Sequence, residues 1–350
     1  AVGVSDGAKG AGARFGADVG RAAFAAVLLG LATAFRFHTI AFALPFAIAC
    51  GLFGAWSRRG AIVAVAILAL FGAVPGLVNL ADGRPIWRKH LKSDFGGKAG
   101  GWGFTASPVV DGDLVYVLPC SKDGAFYALD KKSGAVAWHS ANVQRSGYAA
   151  PVLTTIDGTK AALVFYGRTV VAHDLAAKGR ILFQHRWKTS YDVNASNPHY
   201  HDGKVFFASG YGMGYAVLDV TGPSPKILHR DQDIRMIFQN SVRTGNSITG
   251  VFGDKRIDAE LIRMDLPSGK IHWREKMPGT RASSALVGDT FVLLSETGDL
   301  VAGKVSDRGF TETGRLKILP RKCWSPFAVS DGKLIARNNN GEAICLDVSP

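Results

Sequence analysis

The chain has 350 residues, 41 Lys and Arg against 28 Asp and Glu (formal net charge +13), 47% hydrophobic and 20% charged residues, 42 Gly, 14 Pro and four Cys. This balance excludes a disordered chain, a collagen-like repeat and a small disulfide scaffold. The cysteines include no Cys-x-x-Cys pair, which excludes zinc-ribbon and thioredoxin-type chemistry.

Three apolar runs, Ala22–Phe35, Thr39–Trp56 and Ala61–Leu80, fill most of residues 1–80. The third has no charge along its whole length and as a helix would be about 30 Å long, the thickness of a bilayer core. The second is also uncharged, with Pro45 inside, where membrane helices tolerate it. The first spans only if Arg21 and Arg36 reach out from its ends. Residues 1–80 are therefore expected to be an α-helical membrane region of two or three transmembrane helices, with bilayer lipid as its partner. The basic loop Ser57-Arg58-Arg59-Gly60 would face the cytoplasm, which puts everything after Leu80 on the opposite, extracytoplasmic side of the membrane. A signal peptide over Thr39–Cys50 competes with this reading. Its cleavage box lacks the usual Leu, and another apolar run follows it.

From residue 81 the chain repeats. Ala128-Leu129-Asp130-Lys131-Lys132-Ser133-Gly134-Ala135-Val136-Ala137-Trp138 has the form A-L-D-x-x-x-G-x-x-x-W. Met264-Asp265 followed by Gly269 and Trp273 keeps the same spacing. Looser copies carry Asp174, Asp219 and Asp347. About twenty residues upstream of these aspartates runs a second marker in phase, as in Ser107-Pro108-Val109, Ala150-Pro151-Val152 and Ser325-Pro326-Phe327, followed by Asp-Gly turns and short β-rich runs. A period of about 43 residues matches four short antiparallel strands, one propeller blade. An all-β propeller of six four-stranded blades over 101–350 is expected, with 81–100 a linker and closing strand. Pro85–Leu91, with Trp87 in the outer-strand position, is expected to complete the last blade. Asp130, Gly134, Trp138, Asp174, Asp219, Asp265, Gly269, Trp273, Asp347 and Trp87 are read as structural repeat residues. The aspartates bind turn amides, the glycines supply positive φ, and the tryptophans fill the space between blades.

The motif resembles the pyrroloquinoline-quinone (PQQ) repeat shared by quinoprotein alcohol dehydrogenases and by the propeller lipoprotein of the outer-membrane β-barrel assembly machine. The order Gly147–Val152, Tyr191–Ala195, Ser209–Gly212 and Lys322–Pro326 is similar to PQQ-binding-like propellers of planctomycete-type bacteria. The resemblance implies one of two functions. The first is a membrane-anchored extracytoplasmic binding or scaffold module for envelope proteins or polysaccharide, with no cofactor. The alternative is a PQQ-dependent alcohol or sugar dehydrogenase holding PQQ with Ca²⁺. The vicinal cysteine pair of many such dehydrogenases has no counterpart among Cys50, Cys120, Cys323 and Cys345, and no catalytic residue is assigned. Pairing of Cys120 with Cys323 stays open, with buried thiols the plainer state.

Segments leading into the innermost strands converge on one rim of a propeller. At that rim the candidate ligand-binding residues are Trp102, Tyr148, Asn194, Asn197, Asn240, Arg281 and Trp324, aromatics and amides with one cation. His199 and His201 alternate on one strand face and are read as solvent-facing or core-satisfied residues, not as ligands. The basic residues are dispersed, never more than two in a row, which points to anionic surfaces and away from nucleic acid.

Overall fold

The computed structural model describes residues 63–69, 73–79, 84–254, 257–277 and 279–349. From Val109 onward the chain forms six antiparallel sheets in sequence order. The first is Val109–Asp111, Leu114–Val117, Tyr127–Asp130 and Val136–His139; the second is Val152–Ile156, Thr159–Phe165, Thr169–Asp174 and Arg180–Arg186. The third is His199–His201, Lys204–Ser209, Gly214–Asp219 and Lys226–Asp231; the fourth is Val242–Thr244, Ser247–Asp254, Ile257–Asp265 and Ile271–Lys276. The fifth is Ala282–Val287, Thr290–Ser295, Asp299–Ser306 and Gly309–Lys317; the sixth is Ala328–Ser330, Lys333–Arg337 and Ala343–Asp347. These are the six blades of an all-β propeller.

The middle strands read as continuous apolar runs because both of their faces are covered. Along Thr159–Phe165, Ala162 and Val164 pack towards the first blade with Tyr116, Phe126 and Ala128. Ala161, Leu163 and Phe165 pack the other way, with Val205 and Phe207 of the third blade. One strand thus supplies two inter-blade cores through the two-residue period of its side chains.

The repeat residues act at the blade junctions. Asp130 Oδ1 accepts from Ser133 N at 2.7 Å and Lys132 N at 3.1 Å. Asp265 accepts from Ser268 in the same way, Asp174 from Ala177 N, Asp219 from Thr221 N and Asp347 from Ser349 N. Each such turn receives an aromatic ring from the preceding blade where one is present. A Cβ on Gly134 would lie 2.6 Å from the Trp87 ring, one on Gly179 would lie 3.0 Å from Trp138, and one on Gly269 would lie 2.6 Å from His229. The rings also donate to carbonyls there, Trp87 Nε1 to Lys131 O at 2.8 Å and Trp273 Nε1 to Ser306 O at 2.8 Å.

Two expectations are corrected at the N-terminal side. Ala61–Leu80 is not a helix: it contains the strands Val63–Ala69 and Ala73–Asn79, paired in register from Val63↔Asn79 to Ala69↔Ala73. Val63, Val65 and Ile67 alternate with alanines, a β-branched pattern that favours a buried strand. Among the described residues no helix is long and apolar enough to cross a membrane; Ala22–Phe35 and Thr39–Trp56 lie outside the described residues. With Val63–Ala69 and Ala73–Asn79 paired as strands, Arg58-Arg59 does not separate two helical spans, and the orientation read from that loop lapses. Secondly, Pro85–Arg88 does not complete the last blade. It pairs with Ala73–Asn79, Leu77 opposite Trp87, and the sixth sheet keeps three strands. A neighbour six residues away closes a far shorter loop than one at the opposite end of the chain, at lower entropic cost. The three-stranded N-terminal sheet docks on the first blade, Leu77 and Trp87 sharing a core with Leu91, Phe95, Phe104, Val115, Val117, Tyr127 and Leu129. Cys120 and Cys323 are both buried and unpaired.

Gly134→Ala is expected to cost about 2–4 kcal/mol, through a steric clash added to backbone strain. Gly112→Ala, with equally positive φ but open surroundings, should cost about 1 kcal/mol. Urea midpoints measure both, and equal losses would mean that Trp87 does not sit on that turn. A second prediction concerns His173, whose Nε2 lies 3.0 Å from Tyr166 Oη and Nδ1 2.9 Å from Gly179 O. Burial pushes its pKa down to about 4. The unfolded chain therefore binds the proton more readily. Its contribution is complete above about pH 6.5 and falls by about 3 kcal/mol as the pH drops to 4. Unfolding titrations of H173Q should show a shallower loss across that window.

Candidate functional site

The segments entering successive inner strands are stitched to one another. Tyr148 N donates to Asn194 O at 2.8 Å and Ala150 N to Asn197 Oδ1 at 3.1 Å. Asn197 N donates to Asn240 Oδ1 at 2.8 Å, and Ser284 Oγ to Asn240 O at 2.8 Å. Asn197 and Asn240 therefore spend their side-chain oxygens on the preceding segment's backbone. Asn194 is fully buried, with Nδ2 donating to Tyr166 O and Trp187 O, so it is not offered to a ligand. Between these segments Tyr148, Val193 and Ile237 form an apolar cluster with Ala195, Tyr211 and Phe238 packed against it.

Two surface centres remain. In the first, Trp102 is 49% exposed and Tyr191 is 74% exposed. The Trp102 ring meets Tyr148 at 6.0 Å and Tyr191 at 6.3 Å, and Tyr191 meets Tyr211 at 6.0 Å, all edge-on. Tyr191 and Asp192 hold left-handed backbone at φ 63° and 57°, a conformation that costs a non-glycine residue roughly 1 kcal/mol or more. Arg168 fixes the turn by a two-point bond to Asp192, Nε to Oδ1 at 2.8 Å and Nη2 to Oδ2 at 3.3 Å. Beside it lies a shallow depression of about 520 Å³ lined by Arg168, Lys188, Thr189, Ser190, Tyr191 and Asp192.

In the second centre the Arg281 guanidinium lies between the rings of Phe238 and Trp324, at 5.0 and 4.8 Å. Glu296 is 3.8 Å away. Burial would raise the Glu296 pKa, but hydrogen bonds from Trp324 and Thr280 and the charge of Arg281 outweigh it and hold the carboxyl below its usual range. Burial moves Arg281 in the direction of losing its proton, which Glu296 and Asp254 resist.

Of the seven expected rim residues, the structure thus gathers Trp102 with Tyr148, and Asn240 with Arg281 and Trp324, while Asn194 and Asn197 serve the backbone. Phe238 and Glu296, and the ring contacts of Tyr191 and Tyr211, were not foreseen. Tyr211 and Glu296 follow the second strands of their blades, whose turns return to the same rim at a fixed offset from the repeat markers. That periodicity was the available signal. His199 Nε2 lies 3.0 Å from Ser241 Oγ and His201 Nε2 2.6 Å from Asn246 Oδ1, so both bridge to the fourth blade.

The residues do not fit the calcium–quinone arrangement. Asp192 is held by Arg168, Asp254 by Arg235 and Glu296 by Trp324 and Thr280. Among the described residues no group of three His, Cys, Asp or Glu is placed to hold a metal, and calcium needs several converging oxygens. What the rim offers is flat apolar faces beside fixed donors, a surface for binding.

A family profile described as outer membrane protein assembly factor BamB matches residues 54–275. No curated protein sequence matches the chain. Among solved structures, BamB from Moraxella catarrhalis is similar at 15% identity over 81% of each chain, with a TM-score of 0.57. A chain of a mitotic checkpoint complex is similar at 10% identity over 82% of this chain and 84% of its own, TM-score 0.58. Sqt1 from Saccharomyces cerevisiae is similar at 10% identity over 82% of each, TM-score 0.55. At these identities the structures share the fold alone, but the profile covers well over half of the chain, and with it the blades carrying the Asp-Gly-Trp turns: the protein belongs to the BamB-like family of PQQ-repeat β-propellers.

Proposed function

We propose that this protein is an extracytoplasmic scaffold of the bacterial envelope whose propeller rim binds partner proteins, in keeping with the outer-membrane protein assembly named in its family's description. The observation that carries the reading is the exposed pair Trp102 and Tyr191, backed by half-buried Tyr211, above a stitched, apolar ring interior. Exposed aromatic groups held rigidly are the residues that contribute most to protein interfaces. The apolar runs Ala22–Phe35 and Thr39–Trp56 are proposed to tether the propeller to the inner membrane. Its extracytoplasmic side rests on the family likeness.

Photo-crosslinking residues placed at Trp102 or Tyr191 in living cells should give discrete adducts with components of outer-membrane barrel assembly. The same probe at Val136 or Leu316, exposed on outer strands, should not. Trp102→Ala and Tyr191→Ala should each weaken the captured complex by about tenfold or more. Equal labelling at rim and outer strands overturns the reading, as does alcohol-dependent dye reduction by the full chain reconstituted with PQQ and Ca²⁺.

A further inference from the structure

Where the segments entering the fourth, fifth and sixth blades meet, a crevice opens between Phe238, Asn240, Arg281, Ser283, Cys323 and Trp324. Its enclosed space is about 20 Å³, room for one oxygen-sized group. Two buried polar atoms at this crevice have no hydrogen-bond partner, Arg281 Nε and Ser283 Oγ. Arg281 is only 5% exposed, and an unmatched guanidinium N–H at such depth is costly. The ring on either side fixes the guanidinium plane before any ligand arrives.

Glu296 does not answer this need. Its Oε1 accepts from Trp324 Nε1 at 2.8 Å, and its Oε2 accepts from Thr280 N at 3.0 Å and Thr280 Oγ1 at 2.9 Å. It faces Arg281 Nη1 at 3.8 Å and not Nε. The Lys322 ammonium stands 5.1 Å from the Trp324 ring; Asp254, the other carboxylate that acts on Arg281, is itself paired with Arg235 at 3.5 Å, so Arg281 and Lys322 leave one positive charge beyond that of Glu296. The free valences are a guanidinium N–H and a hydroxyl, both able to donate, the space is small, and the surplus charge is positive. The slot between the Phe238 and Trp324 rings favours a planar anion in the guanidinium plane over a tetrahedral one, and a neutral carbonyl would leave the charge unmatched. The edge of a planar carboxylate suits a guanidinium fork.

We propose that this crevice is a carboxylate-binding subsite, in which Arg281 and Ser283 receive an oxygen of a peptide carboxylate supplied by an acidic side chain or a C-terminus. The inference rests on the scaffold reading and names one chemical feature of the partner. Asn240 and Trp324 line the crevice beside the carboxylate.

Fluorescence polarisation on the full chain tests it with three labelled hexapeptides of otherwise identical neutral sequence. One has an internal Glu and an amidated C-terminus, one has Gln there and a free C-terminus, and one has Gln and an amide. At least one of the first two should bind about tenfold more tightly than the third, and which one does identifies the source of the carboxylate. S283A, which leaves the Arg281–Glu296 pair in place, should reduce that preference several-fold, and R281Q should abolish it. Retention of the preference in both variants overturns the subsite, as does equal binding of all three peptides or no binding at millimolar concentration. Crosslinks at Trp102 and Tyr191 are unaffected by those outcomes, so failure of the subsite is distinguishable from failure of the scaffold reading.

Discussion

The architecture depends on an aromatic ring of one sheet lying on a glycine turn of the next. Trp87 over Gly134, Trp138 over Gly179 and His229 over Gly269 repeat one geometry. The turn needs positive φ, at 70°, 79° and 67°, and it also needs a bare Cα, because the ring occupies the position of the missing side chain. Glycine answers both demands. At Trp87 and Trp273 a ring N–H to a backbone carbonyl adds direction to the contact, which fixes how one sheet is rotated over its neighbour. Sheets that are apolar on both faces have no stable solitary state, and such contacts set the order in which they stack.

The same contact explains which parts of the fold could be read from the residues. Asp, Gly and Trp at fixed offsets are chemically constrained, so blade count and turn position follow from Asp130-Gly134-Trp138 and Asp265-Gly269-Trp273. The N-terminal sheet is constrained in the same way, since Asn79, Gly83 and Trp87 keep those offsets with Asn in the place of Asp. That signal was masked by hydropathy. A pair of apolar strands and a membrane helix can have the same mean composition, and alternation of Val63, Val65 and Ile67 with alanine is a weak cue when the intervening residues are also apolar. With Trp87 in the three-stranded N-terminal sheet, no strand is left over to complete the sixth blade.

The site was legible only in part, for a different reason. The phase of the repeat locates the rim, but rim residues obey no fold requirement and so carry no fixed identity. Asn194, Asn197 and Asn240 looked like ligand-binding amides. They are consumed by segments that run without ladder partners, whose buried peptide groups must be satisfied by side chains. Composition cannot distinguish an amide that closes a backbone valence from one that awaits a ligand; only a hydrogen-bond inventory can.

Backbone strain separates frame from site on independent grounds. Asp157, Asp202 and Asp331 have positive φ, but each precedes a glycine that is also left-handed, in hairpins between first and second strands. That is the ordinary chemistry of a two-residue turn. Tyr191, Asp192 and Tyr211 share the conformation with φ of 63°, 57° and 58°, yet two of them are bulky aromatics, for which the hairpin explanation offers no steric advantage. Arg168 holds Asp192 in place, and the result is a tyrosine turned outward against Trp102. Strain of this kind persists where neighbouring bonds enforce it and where the side chain's direction matters more than its local energy. On this molecule it falls on the same rim that carries the exposed rings.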